Sequence, residues 1–301
     1  MKVCLNVMAA ESIFGGGIHA VFDLAERADQ MGVDQISTSE HLGFNQAAHV
    51  ERRVTSHFPY PIEQHWFEPI SVLTAIALRT KRARLSTFVM IAPLRGPALL
   101  AKQVATLDVI SSGHATVGLG VGWQKAEYDA CGVAYEGRFG YLVEIVAACR
   151  ALWAGVGANF TGKRVRFEDF HALPLPVQRE RVPVYLGLPP TPVNCARMAE
   201  VSDGWCVRPL PLEEFAAGVG ELRRAWQAAG RDASDIHIET PIGPVRRGDG
   251  SVDYEATRES LRPWAKAGVT MFQALPPSFC SGPQDIDAFL EFLISLKTLQ
   301  P

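Results

Sequence analysis

At 301 residues, 48% of them hydrophobic and 20% charged, the chain is long enough to bury a large core, and one α/β barrel absorbs all of it without a second domain. A net charge of −3, with no basic run and no interleaving of basic and aromatic residues, argues against nucleic acid as a partner. No apolar run approaches the ~20 residues a membrane helix needs, no cleavable apolar leader precedes the first strand, and the six cysteines show no CxxC or metal-ligand spacing, so the expectation is a cytoplasmic protein with reduced thiols and no membrane partner.

In chain order, Val3–Met8 reads as the first strand and Gly15–Gly17 as a loop feeding a helix from His19 to Met31, whose buried stripe is Val21, Leu24, Ala25 and Ala28. Gly32 closes that helix. Asp34–Ser39 is a second strand with Glu40 and His41 at its C-terminal end. Leu42–Glu68 carries His49, Arg52, Arg53, His57, Pro59, Pro61 and His65 with no clear period; a loop of that length in a compact domain marks a candidate lid. Its arginines suit an acidic substrate or an acidic cofactor tail, while a purely solvated charge run explains them equally well. Pro69 opens a helix to Arg79.

The stretch from Arg84 to Trp123 reads as strand, helix, strand. Leu85–Ile91 is a β-branched and apolar run ended by Pro93, and Gly96-Pro97 opens a helix with proline at its first position, where the missing N–H is no loss. Leu100, Val104 and Leu107 form its buried stripe and Gly113 ends it. In Thr116–Gly122 the alternation is strict: Val117, Leu119 and Val121 share one face, and Gly118, Gly120 and Gly122 the other. Glycine weakens a strand, so three on one face imply either a planar or anionic group lying close to bare backbone or a barrel interior with room only for glycine.

Beyond a helix from Arg138 to Trp153, residues Ala154–Arg181 read as a hairpin with a connector. The second half repeats the rhythm. Strands Val184–Gly187, Gly204–Arg208, Ile236–Ile242 and Val269–Leu275 alternate with helices Pro192–Val201, Leu212–Ala229, Tyr254–Lys266 and Gln284–Leu296. Eight strands alternating with eight helices predict a closed (β/α)₈ TIM barrel, an α/β fold, over 1–301 as a single domain, and no GxGxxG follows the first strand to support a Rossmann reading. A barrel of this kind carries its site at the C-terminal ends of the strands. No GxSxG elbow, Ser-His-Asp order or metal-binding histidine spacing is present, so hydrolysis has no named machinery and no metal site is expected.

The run LLAKQVATLDVISSG, followed by GLGVGW and EYDACGV, resembles the luciferase-like monooxygenase superfamily of flavin and deazaflavin oxidoreductases, and the likeness extends over nearly the whole chain. The resemblance implies that the histidine of TSEHL, His41, faces the cofactor ring and handles a proton, for which an imidazole is suited. Glu40 is a weak candidate to orient it, because neighbouring strand residues point to opposite faces. It implies a non-prolyl cis peptide behind the ring, placed at Val89–Met90 by counting back from Pro93, and a cofactor ring along Gly118, Gly120 and Gly122, with Trp123 as pocket wall or core aromatic. It implies a cofactor phosphate near Gly187, Thr191 and Val193, where Thr191-Pro192 has helix-start chemistry, although Pro189 and Pro190 remove two backbone donors where the family commonly has Gly-Gly-Ser.

The function these residues imply is hydride transfer between the deazaflavin coenzyme F420 and a small organic substrate. An FMN-dependent monooxygenase and a non-catalytic flavin-binding barrel are the alternatives. In the branch that oxidises sugar phosphates an acidic residue stands near the position of Trp123, so that substrate is disfavoured. A homodimer is common among such proteins.

Overall fold

A computed structural model describes residues 1–56 and 58–300, so His57 of the expected lid lies outside the described residues. The chain runs β1 (Lys2–Asn6), α1 (Ile18–Met31), β2 (Gln35–Thr38), α2 (Gln46–Ser56), α3 (Pro69–Ala77), β3 (Arg84–Thr87), β4 (Met90–Ile91), α4 (Pro97–Ile110), β5 (Val117–Gly120), α5 (Lys125–Ala130) and α6 (Arg138–Ala154). It continues through β6 (Ala158–Thr161), β7 (Arg166–Phe170), β8 (Val184–Leu186), α7 (Pro192–Val201), β9 (Gly204–Cys206), α8 (Leu212–Ala228), β10 (His237–Ile242), α9 (Tyr254–Ser260), α10 (Arg262–Ala267), β11 (Met271–Ala274), α11 (Pro276–Phe279) and α12 (Ile286–Ser295).

Nine strand segments pair in the order β3-β2-β1-β11-β10-β9-β8-β5-β4, all in parallel. β3 and β4 are two halves of one strand, so the outer members of that order come from the same stretch of chain. The sheet closes there: β4 pairs with β5, while Leu85 of β3 donates to the His114 carbonyl (2.9 Å) and accepts from Thr116 (2.8 Å). Counted this way the barrel has the eight strands the alternation predicts, and the fold is a (β/α)₈ TIM barrel. The 154–181 excursion holds the antiparallel hairpin β6–β7.

The element boundaries follow local chemistry. Gly32 ends α1 at φ 92°, donating its N–H to the Ala28 and Asp29 carbonyls, the left-handed stop that a side chain would resist. The single helix expected over Tyr254–Lys266 is two, because Pro263 lacks a donor and its ring collides with the preceding turn; α10 restarts with that proline in its first turn. The outward faces of the strands, including Val3, Leu5, Ile36, Val117, Leu119 and Phe272, merge with the helices into one apolar core. Two of its buried indoles are paired: Trp153 donates to the Ala101 carbonyl (3.0 Å) and Trp205 to that of Leu188 (2.9 Å). The barrel interior is polar but paired: Asn6 donates to Gln273 (2.6 Å), and Gln273 (3.2 Å) and Gln35 (2.9 Å) donate to the fully buried Glu239. Five cysteines are buried and Cys131 is exposed, all unbridged.

Asp29 ties the end of α1 to the start of β3. Burial works against its charge, yet the N–H groups of Ala83, Lys81 and Arg82 (2.6, 3.0 and 2.9 Å) outweigh it and hold the carboxyl below its ordinary range. A depressed folded pKa stabilises above the unfolded value and that stabilisation is lost as pH falls through the folded one. Asp29→Asn is therefore expected to cost about 1–2 kcal/mol in urea unfolding at neutral pH. The gap to the parent chain should narrow below the ordinary carboxylate range; a pH-independent gap would refute the charge argument.

Candidate active site

The strand C-termini converge on one cavity of about 450 Å³, within the ~300–1,000 Å³ typical of small-molecule sites. Asn6 and Met8 reach it from β1, Ser39, Glu40 and His41 from β2, Phe88, Val89 and Ile91 from the β3–β4 break, and Gly122 and Trp123 from β5. Pro209, Pro241, Gln273 and Leu275 complete the rim from the far side of the barrel. The 42–68 segment contributes Arg52, Phe58, Tyr60 and Trp66 to the cavity lining. It is not structureless: α2 lies within it, a polar helix docked through the buried His49, whose Nε2–H donates to the Tyr60 carbonyl at 3.0 Å. Burial pushes the Tyr60 hydroxyl up to about 12, so it is a neutral wall of the cavity at physiological pH.

His41 stands at the centre of an aromatic enclosure, with ring centroids 4.8 Å from Phe44, 4.8 Å from Trp66, 5.6 Å from Trp123 and 6.0 Å from Phe58. Glu40 borders the cavity too, but its carboxylate is engaged away from His41. Glu40 accepts from the Ile91 N–H (2.7 Å) and pairs with Arg95 through both guanidinium ends, and Arg95 also reaches Glu68 at 3.1 Å. Those carboxylates keep the Arg95 charge favoured despite its burial. Glu40 thus fastens β2 to β4 and does not orient His41.

The residue that orients His41 is Glu127 of α5, 3% exposed, with both carboxylate oxygens 3.2 Å from His41 Nδ1. The same carboxylate accepts from the Leu42 N–H at 2.7 Å, locking the strand end on both sides of the imidazole. Gln124, just before α5, adds two clamps: it accepts from the Asn45 N–H (2.5 Å) and donates to the Gly43 carbonyl (2.7 Å). A carboxylate at Nδ1 fixes the Nδ1–H tautomer and leaves Nε2 with its lone pair toward the cavity. Trp123 Nε1 donates to that lone pair at 3.3 Å, a long bond that a substrate oxygen can displace.

The glycine face and the cis peptide differ from the sequence expectation in an instructive way. The non-prolyl cis bond is Phe88–Val89, one residue before Val89–Met90, because Met90 already pairs in register with Leu119 and the interruption must fall ahead of that ladder. Ser39 Oγ donates to the Phe88 carbonyl at 2.7 Å, and Val89 projects into the barrel. Val89 is what covers the glycines: a Cβ on Gly120 would lie 2.7 Å from its Cγ2, and one on Gly187 3.0 Å from its Cγ1. A Cβ on Gly118 would lie 2.1 Å from the Thr87 carbonyl oxygen and 3.0 Å from Cys206 Sγ. Gly118, Gly120 and Gly187 therefore lie against protein beneath the cavity floor, the tight-interior alternative. Of the three strand glycines Gly122 alone lines the cavity; Val89 lines it too, whereas Met90 is fully buried in the core.

Thr191 and Val193 sit at the exposed N-terminus of α7, on the same end of the barrel but outside the cavity. Thr191 is a helix cap, its hydroxyl accepting from the Asn194 N–H at 3.3 Å. Thr191→Ala should lower stability by about 1 kcal/mol in denaturant unfolding. If cofactor affinity drops more than tenfold with no change in stability, the hydroxyl serves a phosphate and not the helix.

Sequence reasoning passed over Glu127, Phe44, Phe58, Tyr60 and Trp66. The aromatic density of the lid was a usable signal for the last four; Glu127 lies inside the EYDACGV motif, but nothing in its neighbourhood announces a partner 86 residues away. Among the described residues no cluster of three or more His, Cys, Asp or Glu could hold a metal ion, and no helix is long and apolar enough to cross a membrane.

Comparison with known proteins agrees with this geometry. A protein of Mycobacterium tuberculosis without assigned function is 34% identical over 203 residues, 67% of each chain. The F420-dependent glucose-6-phosphate dehydrogenase of Amycolatopsis mediterranei is 26% identical over 265 residues, 85% of this chain and 73% of that one. The F420-dependent tetrahydromethanopterin reductase of Methanopyrus kandleri shares the fold, with a TM-score of 0.76 over 97% of both chains at 17% identity. The family described as luciferase-like monooxygenase matches residues 3–271, and the chain belongs to that family of oxidoreductases.

Proposed function

We propose that the chain transfers hydride between the deazaflavin coenzyme F420 and a small organic substrate, with His41 moving the accompanying proton. The observation that carries the reading is the imidazole itself: it is surrounded by aromatic rings, anchored at Nδ1 by a buried carboxylate, and lines the cavity at the strand ends. The cavity fits a planar heterocycle. Its floor is the Val89 bulge and Ile91, its wall is Gly122 and Trp123, and Asn6, Ser39 and Gln273 form one hydrogen-bonded polar group in the lining. The 26% identity to an F420-dependent dehydrogenase supports the choice of coenzyme.

When bound, F420 supplies a ring carbon that accepts or returns hydride. The protein contributes the rest. Nε2 of His41 takes a proton from a substrate hydroxyl during oxidation and returns it during reduction; Glu127 keeps the ring oriented and the proton on Nδ1. The Trp123 N–H, displaced from Nε2, is placed to donate to the same substrate oxygen. Phe44, Phe58 and Trp66 exclude water from the transfer.

The decisive experiment titrates the protein with F420 and with FMN, followed by single-turnover mixing with candidate substrates, with and without oxygen. F420 binding with substrate-dependent bleaching that ignores oxygen is the expected result. FMN binding with oxygen-dependent turnover would make the chain a monooxygenase, and binding of neither would remove both readings. Binding without bleaching in a broad substrate panel would leave a cofactor-binding barrel without chemistry.

A further inference from the structure

The lid places a cation in the mouth of the cavity without giving it an anion. Arg52 of α2 lines the cavity, and its guanidinium lies over the Trp123 ring at 5.1 Å from the centroid. Its Nε is buried and has no hydrogen-bond partner, and among the described residues it makes no ion pair. The carboxylates of the mouth are engaged elsewhere: Glu40 with Arg95, Glu127 with His41 and the Leu42 N–H. A second buried donor in the same wall is equally unpartnered, the indole Nε1 of Trp66. Burial, with the like charge of Arg208 added to it, holds the Arg52 guanidinium below its ordinary range, so an anion here would relieve an existing cost.

Unpartnered buried donors are uncommon in folded proteins because each forfeits its hydration without replacement, and two in one cavity wall call for a ligand that satisfies both. A guanidinium stacked on an indole keeps its in-plane N–H edge free, and that edge matches the two oxygens of a carboxylate. One fork and one indole N–H suit a carboxylate better than a phosphate, whose three oxygens and greater charge ask for more donors. The surrounding wall, Phe58, Pro59, Tyr60, Trp66 and Trp123, is aromatic and apolar. We infer that the substrate is an organic acid with an apolar body, its carboxylate bound by Arg52 and Trp66 and its reacting carbon thereby held beside His41. The inference rests on the oxidoreductase reading for what happens to that carbon, but the binding claim stands apart from it. An anionic group of the cofactor is the other possible source of the same chemistry.

Calorimetric titration of the cofactor-free protein with benzoate and with its neutral isostere benzamide separates these cases. Benzoate is expected to bind at least about tenfold more tightly than benzamide, in a manner weakened by salt. R52Q should abolish that preference, R52K should retain part of it as a point charge without the fork, and W66F should lose several-fold in benzoate affinity, all with unchanged thermal unfolding. Equal binding of the two probes, or a benzoate affinity untouched in R52Q, overturns the proposal. Loss of F420 or FMN affinity in R52Q, with no benzoate binding to the parent protein, would assign the anion to the cofactor and likewise overturn it. A benzoate preference that depends on Arg52 in a protein that binds neither coenzyme would sink the hydride-transfer reading and leave the acid site standing.

Discussion

His41→Ala is expected to slow turnover by about a hundredfold or more while the dissociation constant of the coenzyme changes far less. The expectation follows from where the imidazole stands. Its Nδ1 is held by Glu127 at 3.2 Å and its Nε2 faces the cavity, so the side chain is positioned for proton transfer rather than for packing a cofactor. Glu127→Gln should act in the same direction but more weakly, by about tenfold, because the amide can still accept from Nδ1–H but no longer stabilises the imidazolium that forms during transfer. The measurement is kcat and KM under single-substrate conditions beside coenzyme affinity by absorption. Parallel losses of turnover and coenzyme binding in His41→Ala would mean that the ring binds the cofactor and another group moves the proton.

Gly118→Ala is expected to destabilise the fold by about 3 kcal/mol or more, or to prevent soluble expression. A Cβ at this position would meet the Thr87 carbonyl oxygen at 2.1 Å, and that oxygen belongs to backbone that cannot rotate away. Thr87 is further fixed because its own hydroxyl donates to the Gly118 carbonyl at 2.7 Å, so the two strands must separate to admit a methyl group. Urea unfolding of the cofactor-free protein reads the effect directly. A Gly118→Ala variant with parental stability and impaired coenzyme binding would restore the cradle role that the packing assigns away from this residue.

Much of the architecture is written in short-range pattern. The strict alternation over Thr116–Gly122 correctly separates Val117, Leu119 and Val121, which join the apolar core, from the inward glycines, because the two-residue period of a strand is a property of backbone geometry alone. Helix stops such as Gly32 are legible because a left-handed residue ends a helix through local backbone geometry. The polar lid helix α2 is not, since its apolar residues Val50 and Val54 are exposed and it owes its place to the docking of His49 and Arg52 against the rest of the lid and Trp123. The split of the last long helix pair at Pro263 was visible in principle, as a proline inside a helical period.

The sequence by itself determined the barrel and its strand order in the chain, because these depend on periodicity and punctuation, and a contiguous motif pointed to His41, which lines the cavity at the strand ends. Tertiary structure decided what opposes what. It set Val89 and Thr87 against the glycines, Arg95 against Glu40, Glu127 against His41, and left Arg52 Nε and Trp66 Nε1 in the cavity wall without a hydrogen-bond partner among the described residues. Those pairings join residues 31 to 98 positions apart, and a contact made only by closing a barrel leaves no trace in the spacing of either partner.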